Sequence, residues 1–341
     1  MKRREFLQDL SAVGACALLP CNASAGTSPP VSQARRPSED VTTGRVAVVA
    51  IGSAGVDVLS ELAGKLLYLK RSTAVSTDPV VLLRATADEK LLFGPHAVSQ
   101  FSKGFRRDFE ATLDGVDIVF VVVGIGDSAD SGPAEVIADV LREKSIPAMT
   151  AVISSICSED KCRENLATDP FRALKDASNA VFPLATAAHI SEKSPHRRYR
   201  ASNRTADTFE CLYHGVVKPV FGEGFITLDL ESVITTLSQE GASAFGVGAA
   251  SGKHAIETAT LRAITSNLLG RHKLFSASAV FVHLDGHPDL LRIKTVATMM
   301  QIVGRATDEH YDCLLVFGAT EANASPQSCR VTILASGVHV F

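Results

Sequence analysis

The sequence lacks several features that define common classes of protein. It has no tryptophan, and only 6% of its 341 residues are aromatic. Its formal net charge of -3 excludes the strongly basic surface of a protein that binds nucleic acid along its whole length. We interpret the one short basic run, at 196–200, as a solvated loop. No apolar run outside the N-terminal region approaches the roughly 20 residues of a membrane span, so we expect none in the mature chain.

Motifs for common hydrolytic and metal-dependent chemistries are also missing. The sequence has neither a serine-nucleophile elbow nor the His-Glu-x-x-His pattern of a zinc protease. Its seven cysteines show no metal-type pairing. Cys157 and Cys162 are close enough to form a disulfide in an oxidising compartment, and free thiols are the alternative. The two histidines at 283–289 lie at a strand end and a turn, so they need not converge, and we predict no metal site.

The N-terminus has the pattern of an export signal. Residues 2–7 form a twin-arginine pattern, a weakly apolar segment follows, and the small residues at 23–25 are typical of a cleavage site. We therefore predict a signal segment at 1–25 and export by the twin-arginine route, to the periplasm or the cell surface. A basic tail that stays attached to a cytoplasmic protein is the alternative. Cys21 lies in a faint lipoprotein-like sequence, although the proline before it is atypical.

The first half of the chain alternates apolar runs with segments of helical periodicity. A Ser-, Thr- and Pro-rich stretch at 26–43 predicts a linker. The alternation after it predicts an α/β fold with a doubly wound parallel sheet over 44–200. We predict strands at 45–51, 80–84, 117–123, 148–154 and 180–183, and helices at 56–69, 105–113 and 134–144.

The second half has a different pattern. A long helix that includes 205–214 belongs to a connecting segment at 201–221. Consecutive strands near the C-terminus predict a second, α+β domain with a mixed sheet over 222–341. Within it we predict helices at 227–237, 254–268 and 291–306, and strands at 279–284, 313–317 and 330–334.

The segment from Gly124 to Pro133 is the most informative part of the chain. It follows one predicted strand and opens one predicted helix, which is where α/β folds bind phosphate on backbone N–H groups. Yet the loop carries two carboxylates, Asp127 and Asp130, and two such charges at about 4 Å repel by roughly 1 to 4 kcal/mol. The position indicates a nucleotide site, whereas the residues indicate that this role is lost.

Six segments spread over about 115 residues of the second half resemble FtsZ, the bacterial relative of tubulin. Their order and spacing identify an FtsZ-like fold that extends from about Gly44 to Val338. They are the segments 224–229, 246–252, 259–269, 286–290, 317–319 and 330–337.

The resemblance implies a GTP-binding domain, a central helix and a smaller FtsZ-type C-terminal domain. It also implies that subunits stack head to tail and that acidic residues of one subunit complete the GTP site of the next. Hydrolysis in the family therefore depends on polymerisation. GTP or GDP with Mg²⁺ is the implied cofactor, and a second copy of the chain is the implied partner.

Several residues match the family's nucleotide-binding positions. Glu210 takes the place of the base-recognising acid on the central helix, and we assign the polar segment after the second strand to 85–88. The main phosphate loop has gained side chains at 127, 128 and 130, and Ala129 replaces a threonine, changes that a phosphate cradle of exposed N–H groups disfavours. The phosphate-loop candidates are Gly52, Ser53, Gly55, Gly124, Gly126, Ser131 and Gly132.

The hydrolysis loop of the family reads Asn-x-Asp-x-x-Asp. Asp229 retains the first acid, and Ser232 replaces the second. Glu231 is displaced from that position by one residue, about 100° around a helix, so it is a poor substitute. Catalytic candidates are therefore Asp229 and, less suitably placed, Glu231.

Three hypotheses of function follow. The first is a divergent FtsZ-like scaffold or self-associating interaction protein, not an enzyme, with weak or lost GTP binding and with unidentified protein partners. The second is a polymerising GTPase of the FtsZ type with a remodelled site. The third is a pocket that takes a less anionic ligand, since two added carboxylates favour a cation.

Overall fold

A parallel sheet with buried central strands forms the centre of the N-terminal half. The computed structural model describes residues 45–94, 99–125, 131–154, 169–185, 205–266, 268–269, 271–307, 313–322, 325 and 327–338. The six strands of this N-terminal sheet are all parallel and lie in the order β3-β2-β1-β4-β5-β6. They are β1 Val46–Ile51, β2 Leu69–Ser76, β3 Glu89–Leu92, β4 Ile118–Ile125, β5 Ala148–Ser154 and β6 Ala180–Ala185.

Helices cover both faces of this sheet, which explains why β1 is a continuous apolar run. Val46, Val48 and Ala50 pack in one cluster with α1, α2 and α6, defined below. Ala47, Val49 and Ile51 face the other layer, which contains α3, α4 and α5. The helices of this half are α1 Gly52–Glu61, α2 Pro79–Arg84, α3 Ser99–Thr112, α4 Ser131–Lys144 and α5 Asp169–Ala177.

The predicted fold class is confirmed, but one predicted strand is wrong. The run at 80–84 is the helix α2, because Asp78 accepts a hydrogen bond from Val80 N and Pro79 occupies the first turn. The second strand is instead β2, which was not predicted; only its first residue, Leu69, falls in a predicted element, the end of the first helix. That helix, α1, ends at Glu61.

The helix α6, Thr205–Phe221, lies between the two halves. Its Tyr213 ring packs 5.0 Å from the ring of Phe120 in β4. On the opposite side Gly215 faces β11 so closely that a Cβ there would lie 2.8 Å from Thr332 Cγ2. One glycine thus allows α6 to contact the C-terminal sheet as well as the N-terminal one.

The C-terminal sheet is mixed, as predicted, with the strand order β7-β10-β9-β11-β8. Only β9 and β10 pair in parallel. Its strands are β7 Gly224–Ile226, β8 Ala242–Ser251, β9 Ala279–Gly286, β10 Leu314–Glu321 and β11 Ser328–Val338. The helices of this half are α7 Leu230–Leu237, α8 Ala255–Ile264, α9 Arg271–Phe275 and α10 Ile293–Gly304. Within the described ranges, none of the helices combines the length and apolar character needed to cross a bilayer.

Candidate functional site

The predicted phosphate-loop residues meet at the carboxyl edge of the N-terminal sheet. β1 ends at Ile51 and leads directly into α1, while β4 ends beside it and precedes α4. The two strands are neighbours, and the chain leaves them in opposite directions, to β2 and to β5. Such a switch point forms a crevice where α/β folds bind ligands. The predicted position of the site therefore agrees with the topology.

The N-terminus of α1 presents backbone N–H groups without a side-chain cap. Gly52 has a φ of 74°, a left-handed conformation that other residues adopt only with strain. Ile51 precedes it as the N-cap and makes no side-chain hydrogen bond to the helix, and the first turn contains no acidic residue. The unsatisfied N–H groups of this turn, at Gly52 and Ser53, suit an anion.

Close packing accounts for two of the predicted phosphate-binding glycines. A Cβ on Gly55 would lie 2.4 Å from the carbonyl oxygen of Val122 in β4. A Cβ on Gly124 would lie 2.8 Å from the Cβ of Ala54 in α1. Both glycines are therefore needed to bring α1 against β4, whether or not a phosphate binds.

An aromatic ring covers the start of α4. A Cβ on Gly132 would lie 2.9 Å from Cε1 of Phe93, which follows β3. Phe93 is buried and packs edge-on against Phe105, with 5.1 Å between ring centroids. The polar cradle expected here thus borders an apolar cluster. Gly126 and the carboxylates Asp127 and Asp130 lie outside the described residues, as does the side chain of Ser131.

The polar segment after the second strand is not the one predicted. Asp88 lies at the amino end of β3, far from the site edge in the strand direction, and accepts hydrogen bonds from Ser72 N and Oγ at 2.8 and 2.7 Å. The segment at the carboxyl end of β2 is Ser76-Thr77-Asp78. Its Ser76 Oγ accepts from Asp78 N at 3.1 Å. The polar segment that follows the second strand is therefore 76–78 and not 85–88, and the error follows from the strand wrongly predicted at 80–84.

An open cavity of about 340 Å³ adjoins α1 and the start of α6. Glu210, predicted to recognise a base, is not among the residues that line it. Its carboxylate lies 3.7 Å from Nδ1 of His214, one turn further along α6. The lining residues are Ala54, Asp57, Val58, Glu61, Ile153, Thr205 and Ala206.

Asp229, the first acid predicted for a hydrolysis loop, is the N-cap of α7. Asp229 Oδ1 accepts a hydrogen bond from Ser232 N at 2.6 Å, and Oδ2 accepts one from Ser232 Oγ at 3.0 Å. Ser232, which replaces the family's second acid, thus engages both oxygens of the first. Glu231 is exposed in the first turn of α7.

A polar cluster that was not predicted lies between α6 and the C-terminal sheet. Lys218 Nζ donates to Asp285 Oδ2 at 2.7 Å, and Thr320 Oγ1 lies 2.8 Å from Nε2 of the buried His283. The alternation of His283 and Asp285 along β9 is the signal that was present, since residues two apart share a face. Among the residues with described placement, no group of three His, Cys, Asp or Glu side chains could hold a metal ion.

The comparisons with known proteins agree with this geometry. The model of the FtsZ family, C-terminal domain, matches residues 241–339. Cell division protein FtsZ 1 of Methanocaldococcus jannaschii is 23% identical over 314 residues, which cover 87% of this chain and 84% of that protein. FtsZ of Pseudomonas aeruginosa is 23% identical over 309 residues, which cover 87% and 78%.

Two solved structures show the same arrangement of elements. An empty FtsZ dimer of M. jannaschii has a TM-score of 0.69 at 22% identity, covering 87% of this chain and 89% of that one. CetZ2 of Haloferax volcanii, in a GTPγS-bound protofilament, has a TM-score of 0.64 at 21% identity, covering 86% and 93%. The fold is therefore that of the FtsZ/tubulin GTPase domain followed by its C-terminal domain. Together the matches support membership of the FtsZ/tubulin superfamily.

Proposed function

We propose that this protein is a divergent FtsZ-like scaffold that associates with itself and binds or hydrolyses GTP weakly or not at all. The observation that carries the proposal is the hydrogen bonding of the Asp229 carboxylate. Both of its carboxylate oxygens accept hydrogen bonds from Ser232. In the family, two acids at these positions polarise the attacking water of the neighbouring subunit's GTP.

The replacement of the second acid changes the chemistry of the loop in two ways. One negative charge is lost, and the remaining carboxylate is directed at the first turn of α7 by its hydrogen bonds. A misplacement of about 1 Å near the reacting atoms can already lower a rate about 100-fold. Glu231 does not restore the pair, since it lies about 100° around the helix from Ser232.

The carboxyl edge of the N-terminal sheet, where the candidate phosphate loops lie, supports weakened binding of nucleotide. An apolar ring approaches this edge at the start of α4, because Phe93 packs on Gly132. A nucleotide cradle relies on exposed N–H groups without bulk around them. Two carboxylates in the loop at 126–130 oppose a polyphosphate further.

Self-association is supported by the relatives. The M. jannaschii protein is described as a dimer and the H. volcanii protein as a protofilament. A second copy of this chain is accordingly the first partner to test, with other protein partners still to be identified.

The second candidate is an active polymerising GTPase with a remodelled site, using GTP and Mg²⁺. One observation favours it: α1 still begins with a left-handed Gly52 and N–H groups that no side chain caps. The residues that would contact phosphate are Gly52 and Ser53, and Asp229 would act on a neighbouring subunit's nucleotide.

Calorimetric titration of residues 26–341 with GTP and Mg²⁺, and with GDP alongside, separates the two candidates. We expect no binding up to about millimolar nucleotide from a sample whose folding is verified by circular dichroism. Sedimentation velocity on the same sample is expected to show concentration-dependent association without nucleotide. Micromolar binding or robust GTP turnover would overturn the proposal in favour of the GTPase.

Asp229 variants test the cap that carries the proposal. Asp229→Ala removes both hydrogen bonds to Ser232 and is expected to lower the free energy of unfolding by about 1 kcal/mol. Asp229→Asn keeps an N-cap acceptor and should stay within a few tenths of a kcal/mol of the wild type. Urea denaturation measures both. Equal stability of all three proteins would show that Asp229 does not serve as a cap in solution, and the argument from its geometry would fail.

We also propose export by the twin-arginine route, on the pattern at residues 2–7 and 23–25. Protease treatment of spheroplasts, in which the cytoplasmic membrane is intact, tests it with a C-terminally tagged chain. Digestion of the tag only after the cytoplasmic membrane is lysed would place the protein in the cytoplasm instead.

A further inference from the structure

The contact between α6 and the C-terminal sheet includes charged and titratable groups beside its apolar ones. On β9, His283 is 2% exposed and Asp285 8% exposed. The two alternate along the strand, so they face α6 together. The apolar part of the same face continues at Phe281 and, on β11, at Leu334. His283 and Asp285 therefore place polar groups within a face that is otherwise apolar.

A chain of hydrogen bonds joins three elements in this cluster. Lys218 Nζ on α6 donates to Asp285 Oδ2 at 2.7 Å. Thr320 Oγ1 on β10 donates to Asp285 Oδ1 at 3.3 Å. With that hydroxyl proton committed, Nε2 of His283 is the donor in its 2.8 Å contact with Thr320 Oγ1. The geometry thus places a proton on Nε2 of His283, and burial of the ring beside the cations Lys218 and Arg330 opposes a second proton on Nδ1.

A second buried histidine, His214, joins α6 to the N-terminal half. His214, 8% exposed, accepts a hydrogen bond at Nε2 from the backbone N of Leu67, in the loop that precedes β2. Its neighbour Tyr213 donates to Leu67 O at 2.7 Å. A proton added to Nε2 of His214 would place two donors against each other. This contact to the N-terminal half therefore also requires a neutral ring.

The charges that face the two rings are mixed. Lys218 on α6 and Arg330 on β11 act on both as cations, and Asp285 acts on both as an anion. Glu210 lies 3.7 Å from His214 on its own helix. Burial, then Lys218 and Arg330, lower the pKa of His214 to about 4, partly offset by Asp285 and by a hydrogen bond to the backbone of Lys65. Burial, partly offset by Asp285, lowers the pKa of His283 to about 4.

We propose that the packing of α6 on the C-terminal sheet is an acid-sensitive joint, in which His214 and His283 must stay uncharged for the two halves of the molecule to hold the same helix. The unfolded chain takes up these protons near an ordinary histidine pKa of about 6.5, whereas the folded chain resists them. The contribution of the two neutral histidines to the free energy of unfolding is therefore fully present above about pH 6.5. It is lost as the pH falls from about 6.5 towards 4.

The expected size follows from the two pKa values. Between pH 7 and pH 5, a histidine with a pKa of about 6.5 unfolded and about 4 folded lowers the folding equilibrium constant about 20-fold. Two such histidines lower it about 500-fold together if they act independently.

Urea denaturation of the full chain at pH 7 and pH 5 tests this value. In His214→Gln and in His283→Gln, the decrease of the folding equilibrium constant between pH 7 and pH 5 should be about 20-fold smaller than in the wild type. His254→Gln is the matched control, because His254 is 71% exposed in its side chain and should leave the loss unchanged. If the folding equilibrium constant of either variant fell as much as that of the wild type between the two pH values, the proposal would be refuted for that histidine.

Two measurements on the wild-type protein keep the test valid if a variant does not fold. Imidazole NMR should show that both rings remain neutral down to about pH 5 in the folded chain, and a ring that titrates near pH 6.5 would overturn the proposal. Hydrogen exchange, corrected for intrinsic rates, should lose protection in α6 and β9 at a higher pH than in β1 and β4. Simultaneous loss in all four elements would show global unfolding without a joint.

Discussion

Gly55→Ala tests whether the first phosphate-type loop keeps its glycine for packing. The added Cβ would lie 2.4 Å from Val122 O and 3.2 Å from Val122 C, whereas ordinary contacts begin at 3.4 Å. The obstructing atoms belong to the backbone of β4, a central strand, so no side-chain rotation relieves the clash. α1 must therefore move away from the sheet by about 1 Å, which opens gaps around Val56 and Leu59.

Overpacking of this kind costs typically about 1–3 kcal/mol, and the rigid neighbour places this variant at the upper end. The intrinsic preference of a helix for alanine over glycine returns about 0.5–1 kcal/mol. We therefore expect Gly55→Ala to lower the free energy of unfolding by about 2 kcal/mol net.

Gly104→Ala is the matched control. Gly104 lies within α3, and a Cβ there meets no atom within 4 Å. This variant should therefore be up to about 1 kcal/mol more stable than the wild type. Urea denaturation followed by far-UV circular dichroism compares the two. A Gly55→Ala protein within about 0.5 kcal/mol of the wild type would refute the packing argument, and the glycine would then have to be explained by a ligand.

The remaining predictions concern contacts of α6, with one exposed ion pair between α1 and α2 as a comparison. Lys218→Met leaves Asp285 partly buried without its cation and should cost about 2–4 kcal/mol, most of which Lys218→Met with Asp285→Leu should recover. Arg84→Met breaks the exposed pair with Asp57 and should change stability by less than about 1 kcal/mol, so equal losses in the two single variants would contradict the difference in burial. Tyr213→Phe removes the 2.7 Å hydrogen bond to Leu67 O and should cost about 1–2 kcal/mol in thermal or urea unfolding; a neutral effect would mean that water replaces the hydroxyl.

Elements with long apolar runs could be predicted from the sequence. β1, β4 and β5 were placed to within about two residues, because a strand buried on both faces has almost no polar positions. β2 was missed because its first half, Leu69 to Ser72, contains a lysine, an arginine and a serine. The short apolar run at 80–84 was given the strand instead, although Asp78 and Pro79 before it are helix-start signals.

β8 was missed for a different reason. It is rich in glycine and alanine, which have low strand propensity. The tertiary structure explains them: a Cβ on Gly246 would lie 2.2 Å from Ala263 O, and a Cβ on Gly248 would lie 2.0 Å from Ala259 O. Their small size allows α8 to lie directly on the strand, a requirement that no local pattern reveals.

The sequence by itself determined the class of fold, the edge of the sheet where the candidate site lies and the loss of the second acid at Ser232. These depend on periodicity, on the order of elements and on residue identity, which are properties of the chain in one dimension. Only the tertiary structure decided that Gly55 and Gly124 are packing residues, that Ser232 engages Asp229, and that His214 and His283 are buried beside Lys218. Each of these depends on distances between residues brought together by folding, and a burial that shifts a pKa exists only once those neighbours have excluded water.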